Sequence, residues 1–155
     1  MKLTWCHNRL AIGSTSLESG AHILSAEETA KVLEGAGVTH LINCRRDSGH
    51  VKLLEVLNGV VVLHNPIEDD GLPKPADWFS RSIDFALHAL ANPLHKVVVC
   101  CYHGNNRSPS TTLAILMAQG LSYEAAMNMV CKVRPGCHMR YGFYAIAAVK
   151  ELRYT

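Results

Sequence analysis

No run in the chain approaches the ~18 consecutive apolar residues that a membrane-spanning helix requires, so a spanning segment is excluded. The opening "MKLTWCHNRL" sets Cys, His, Asn and Arg where a secretory leader needs its apolar core, which gives the expectation of a chain without a leader, resident in the cytoplasm. Blocks of like charge are missing as well. The 15 Lys and Arg residues are scattered among 13 acidic ones for a net charge of +2, which argues against a nucleic-acid-binding arm or a polybasic membrane patch. There is no internal repeat, no low-complexity segment and no shift of composition that would mark a linker. With 155 residues and 48% hydrophobic content, the expectation is one domain over 1–155 with a single buried core. The six cysteines could form three bridges, but the chain is too long and too apolar to need a disulfide scaffold, so they read as free thiols of a reducing compartment. "CKVRPGCH" (131–138) gathers three soft ligands but lacks a second pair at zinc-site spacing, so no metal and no cofactor is expected.

What is present is an alternation of short apolar runs and longer helical periods. "RLAIGS" (9–14) reads as a strand; "SAEETAKVLEGAG" (25–37) reads as a helix, opened by Ser25 and Glu28 at capping-box spacing and stopped by Gly35 and Gly37. "VTHLINC" (38–44) and "VVVLHNP" (60–66) are β-branched and bounded by turn formers, hence strands. Phe79, Ile83, Leu87 and Leu90 recur at helical spacing after Pro75. "KVVVCC" (96–101) has no polar alternation, the mark of a central parallel strand buried on both faces. Helical periods at 108–119, 122–133 and 139–153 complete an α/β pattern: a central, mostly parallel sheet of about four to five strands flanked by helices. Met127 and Met129 fall within one of these periods and read as core.

Chemistry concentrates where strand 96–101 ends. In open α/β sheets, sites lie beyond the carboxyl ends of the strands, and here "YHGNN" follows Cys101 before Arg107-Ser108-Pro109 opens a helix. Proline in the first helical turn gives up a donor the helix cannot use, while the remaining N–H groups of loop and helix start converge on one point with the positive end of the helix dipole. A thiol in such a cradle ionises, because N–H donors and a guanidinium stabilise the thiolate. Arg107 offers a planar fork to two phosphoryl oxygens, Gly104 permits a tight turn, and Ser108 can hydrogen-bond the sulfur as a leaving group. A Cys–Arg pair six apart arises by chance in such a composition with probability ~0.3; requiring also the Gly and the Ser lowers this to about 0.001. Cys100 alternates to the other side of the strand and reads as a packed core thiol.

Expelling an alkoxide or phenoxide from a phosphate monoester needs a proton donor, and "NPIEDDGLPKP" (65–75), a loop leaving the end of strand 60–64, carries Glu68, Asp69 and Asp70. Asp69 is the candidate general acid.

These residues resemble the cysteine-dependent protein phosphatases, and most nearly the atypical dual-specificity phosphatases. "CYHGNNRS" (101–108) fits the family's C-x-x-G-x-x-R-[ST] signature, "EDDGLP" (68–73) its acid loop, "GVTHLINC" (37–44) its strand into the core and "VRPGCHMRYGF" (133–143) its late Arg-Pro segment. The family's usual interval of 32 residues, here Asp69 to Cys101, selects Asp69 over Asp70. The resemblance implies metal-independent, two-step hydrolysis of phosphotyrosine, phosphoserine/threonine or both in proteins. Cys101 is then the nucleophile of a cysteinyl-phosphate intermediate and Asp69 the acid and base, with the Arg107 side chain and the backbone of Tyr102, His103, Gly104, Asn105, Asn106 and Arg107 holding the phosphoryl oxygens. It also implies a redox partner for Cys101 in Cys44, at the end of its strand, although a core thiol is the simpler reading there.

Two features depart from or extend that pattern. Family members commonly carry histidine just before the nucleophile, where this chain has Cys100, a change that predicts a less firmly held nucleophile. His103 and Asn106 match C-T-H-G-x-N-R of cysteine phosphatases acting on RNA 5′-triphosphates, which makes that activity an alternative, alongside a non-catalytic phosphate-binding module. Pyrophosphate leaving groups need little protonation and polyanions attract a basic excess, both of which favour the monoester. A phosphoinositide enzyme would carry lysines in the loop, and none lies between Cys101 and Arg107. Arg134 and Arg140 are placed either at the pocket rim or on a solvated surface.

Overall fold

The structure is a computed structural model and describes residues 1–16, 23–47 and 49–152. A five-stranded sheet has the order β1-β2-β5-β3-β4, from β1 (Lys2–His7), β2 (Leu10–Ser14), β3 (His40–Asn43), β4 (Val61–His64) and β5 (Val97–Cys101). β1 runs antiparallel to β2; the other four strands are parallel. The helices are α1 (Ala26–Gly35), α2 (Gly49–Val56), α3 (Ala76–Leu90), α4 (Arg107–Ala118), α5 (Tyr123–Val133) and α6 (Gly142–Leu152). None among the described residues is long and apolar enough to cross a membrane.

Every strand and helix expected above is present. The last helix begins at Gly142 rather than 139, because Met139 and Arg140 belong to the turn that leads into it, and its expected end at 153 lies outside the described residues. β1 and α2 were not expected. The capping box of α1 is realised: Ser25 Oγ accepts from Glu28 N at 3.1 Å while Glu28 Oε2 accepts from Ser25 N at 2.8 Å.

β5 sits mid-sheet with all five residues buried, and strict alternation sends its side chains into two cores. Val98 and Cys100 meet Leu33 of α1 and Leu53 of α2; Val97, Val99 and Cys101 meet residues of α3, α4, α5 and α6. The second core is much the larger. Trp78, fully buried in it, is a side chain whose truncation to alanine costs about 3–5 kcal/mol.

Because β2, β3, β4 and β5 are parallel, the segments that follow them gather at one edge. They are sewn together there: Thr15 N donates to Tyr102 O at 3.0 Å, Cys44 N to Cys100 O at 2.9 Å and Ile67 N to Cys44 O at 3.4 Å. The segment after β4 is further locked onto α3. Buried Asn65 donates from Nδ2 to Trp78 O and Ser82 Oγ, both at 2.8 Å, and its carbonyl accepts from Trp78 Nε1 at 3.0 Å.

Candidate active site

Cys101 ends β5, and residues 102–106 form a tight loop before α4 begins at Arg107. The loop's carbonyls are drawn outward. Arg134 donates from Nε to Gly104 O and from Nη2 to His103 O, both at 3.0 Å, and His138 N donates to Asn105 O at 2.7 Å. Arg134 is therefore neither on the rim nor solvated but buried against the loop, the first of two residues whose place sequence left open. With the carbonyls held on the outside, an N–H is left for the inside: Gly104 N donates to Cys101 Sγ at 3.2 Å. Gly104 has φ +68° and a Cβ there would collide with the Arg134 guanidinium, so both backbone and space demand glycine.

The sulfur has a second neighbour, Ser108 Oγ at 3.1 Å. Arg107 Nη1 donates to Cys44 O at 3.3 Å and Ile67 O at 3.2 Å, which tethers the guanidinium to the segments after β3 and β4. Its Nε is buried and makes no hydrogen bond among the described residues, lying 3.7 Å from Asp69 Oδ2. A buried charged donor without an acceptor is costly unless an anion completes it. Above these groups lies a cavity of about 210 Å³ lined by Asp69, Cys101, His103, Asn105, Asn106 and Arg107, with the exposed His138 and Arg140. Arg140 thus belongs to the pocket.

The other expected site residues divide. His103 lines the cavity while its Nδ1 is hydrogen-bonded to Ser16 Oγ at 2.9 Å. Tyr102 does not line it: its hydroxyl donates to Asp47 Oδ2 at 2.9 Å and its ring lies 4.2 Å from the guanidinium of Arg45, which is ion-paired with Asp47, so the side chain is held at that pair. Asp69 reaches the cavity, where its Oδ1 accepts from Asn106 Nδ2 and from the Tyr141 hydroxyl, the latter at 3.0 Å. Asp70 points elsewhere, paired with Lys74, whose ammonium holds its carboxyl below the usual carboxylate range.

Cys100 faces the smaller core, with Sγ 3.6 Å from Asn43 Oδ1, and burial pushes its thiol up to about 12. Cys44, fully buried just after β3, shares the larger core with Cys101, and burial first, then the neighbouring Cys101, push its thiol well above the ordinary range. Sequence reasoning singled out neither Tyr141, 72 residues beyond Asp69, nor the contact of Asn106 with Asp69; no spacing signals either, since both arise where α6, α4 and the acid loop meet in space.

Residues 23–150 match the family model of the dual specificity phosphatase catalytic domain. Among solved structures, human DUSP28 superposes with a TM-score of 0.73 and 24% identity over 97% of this chain and 98% of that one. Tk-PTP in its active form gives 0.73 and 21% over 96% of each chain, and PTPMT1 gives 0.74 and 17% over 98% and 96%. These likenesses extend the fold over nearly the whole chain. With the family model spanning 23–150 and its signature folded around that cavity, the chain belongs to the dual specificity phosphatase family, whose activity is that of a protein phosphatase.

Proposed function

We propose that the chain hydrolyses phosphotyrosine and phosphoserine/threonine in proteins through a cysteinyl-phosphate on Cys101, with residues 1–155 acting as one catalytic domain in the cytoplasm. In the first step the Cys101 sulfur bonds to phosphorus, the bond from phosphorus to the leaving oxygen breaks, and Asp69 gives that oxygen its proton. In the second, water attacks phosphorus and yields a proton to Asp69, the sulfur–phosphorus bond breaks, and Ser108 hydrogen-bonds the departing sulfur. Arg107 and the loop N–H groups hold the three phosphoryl oxygens throughout.

The observation that carries this reading is the Cys101 sulfur, held between Gly104 N–H and Ser108 Oγ in the wall of a cavity that Arg107 also lines, the buried Arg107 Nε making no hydrogen bond among the described residues. The RNA 5′-triphosphatase alternative is not favoured: of the two residues that suggested it, Asn106 has its amide engaged by Asp69 and by Arg140 N, and His103 has its Nδ1 hydrogen-bonded to Ser16 Oγ. The test is a panel of an aryl phosphate, phosphotyrosine and phosphothreonine peptides and 5′-triphosphate RNA, with wild type and Cys101→Ser. Turnover of the aryl phosphate and peptides by wild type alone supports the proposal; turnover of RNA alone, or of nothing, defeats it. Cys44, packed in the same core, is proposed as a disulfide partner of Cys101 under peroxide; mass-spectrometric mapping that finds Cys101 directly over-oxidised ends that part.

A further inference from the structure

The Asp69 carboxylate lines the cavity, with one oxygen held by two hydrogen bonds and the other turned to Arg107. Oδ1 accepts two hydrogen bonds, from Asn106 Nδ2 and from the Tyr141 hydroxyl; Oδ2 faces Arg107 Nε at 3.7 Å. Each donor is itself fixed. Asn106 Oδ1 accepts from Arg140 N at 2.7 Å, and since a backbone N–H can only donate, the amide cannot be turned over: its NH2 must face Asp69. The Tyr141 oxygen accepts from Gly71 N at 2.9 Å, and its single proton goes to the carboxylate at 3.0 Å in preference to Glu68 O at 3.5 Å. The Tyr141 side chain is fully buried, so its hydroxyl is set by core packing. Asn106 immediately precedes Arg107, which ties the acid to the phosphate loop itself.

We propose that Asn106 and Tyr141 are the positioning residues of the general acid: by both donating to Oδ1 they confine its transferable proton to Oδ2, the oxygen that faces the substrate. A proton on Oδ1 would oppose two donors, whereas one on Oδ2 leaves for the ester oxygen while both bonds to Oδ1 tighten around the forming carboxylate. The inference rests on Asp69 being the general acid, as proposed above.

The experiment compares kcat/KM for phenyl phosphate, a poor leaving group, with that for p-nitrophenyl phosphate, a good one, in Tyr141→Phe and Asn106→Ser, each alone and combined with Asp69→Asn. Thermal melts confirm that the variants are folded. Expected is a loss of about tenfold on phenyl phosphate and under threefold on the p-nitrophenyl ester for either single variant, and no further loss on either ester when Asp69 is already Asn. Equal losses on the two esters, or losses that persist beside Asp69→Asn, overturn the inference, because a merely structural contact behaves so. If Asp69→Asn itself shows no preference between the esters, the acid assignment falls and this inference with it, an outcome visible without either positioning variant.

Discussion

Cys100 points into the layer covered by α1 and α2, whereas Cys101, the next residue of the same strand, turns into the layer of α3 to α6 and meets the cavity. Both are buried, and neither thiol is distinguished by residue type or by exposure. What separates them is what they face. Cys101 has an N–H and a hydroxyl on its sulfur and lines a cavity with Arg107; Cys100 has one amide oxygen at hydrogen-bond range in an apolar layer, and burial first, then the neighbouring Cys101, raise its pKa against the lowering pull of Arg45 and Arg107. Strand alternation, which carries no chemistry, thereby decides which of two adjacent thiols is placed for chemistry.

The largest expected effect breaks this comparison directly. Cys101→Ser should lower kcat/KM for an aryl phosphate by at least ~10³-fold, while Cys100→Ser stays within a few-fold of wild type; steady-state kinetics on both variants decides it. The carboxylates repeat the contrast. Asp69→Asn should cost roughly 10²–10⁴-fold on phenyl phosphate, and Asp70→Asn, whose carboxylate is tied to Lys74, less than about threefold. Arg134→Ala should cost about tenfold through loosening of the loop carbonyls, with KM for phosphate esters rising more than kcat falls. Smallest is an effect on stability. The folded-state pKa of Cys100 is raised from 9.0 to about 12, so the stability held by its neutral thiol is complete below pH 9 and is lost as pH rises towards 12. Chemical denaturation across that range should show unfolding free energy falling by about 1 kcal/mol per pH unit from this thiol, on top of the contributions of Cys44 and Cys6, which have the same sign; Cys100→Ala should reduce the slope.

The phosphate loop was legible because its parts are local: Cys101, Gly104, Arg107 and Ser108 lie within eight residues, and strand, loop and helix start follow from adjacent sequence. β5 was legible because a strand buried on both faces has a continuous apolar run. β1 was not, although Lys2 and Thr4 alternate with Leu3 and Trp5 in the period of a half-buried strand: the alternation lasts only four residues before Cys6 and His7, and the strand is antiparallel to its neighbour at the sheet edge. α2 is only eight residues, opens on Gly49 and His50 and buries Leu53 alone, too little for a period to stand out. Arg134, Tyr141 and the tie from Asn106 to Asp69 are contacts over 30 residues or more, which packing creates and no spacing announces. The acid loop falls between these cases, since its position could be read while the choice of Oδ2 as the working oxygen could not.

The central claim is the covalent role of Cys101, and trapping tests it most directly. Wild type and Ser108→Ala, quenched in acid during turnover of a phosphotyrosine peptide and mapped by mass spectrometry, should carry one phosphoryl group on Cys101, with more of it accumulated in Ser108→Ala because expulsion of the sulfur is slowed. A phosphoryl group on another residue, or none on either protein while product continues to form, would contradict the account.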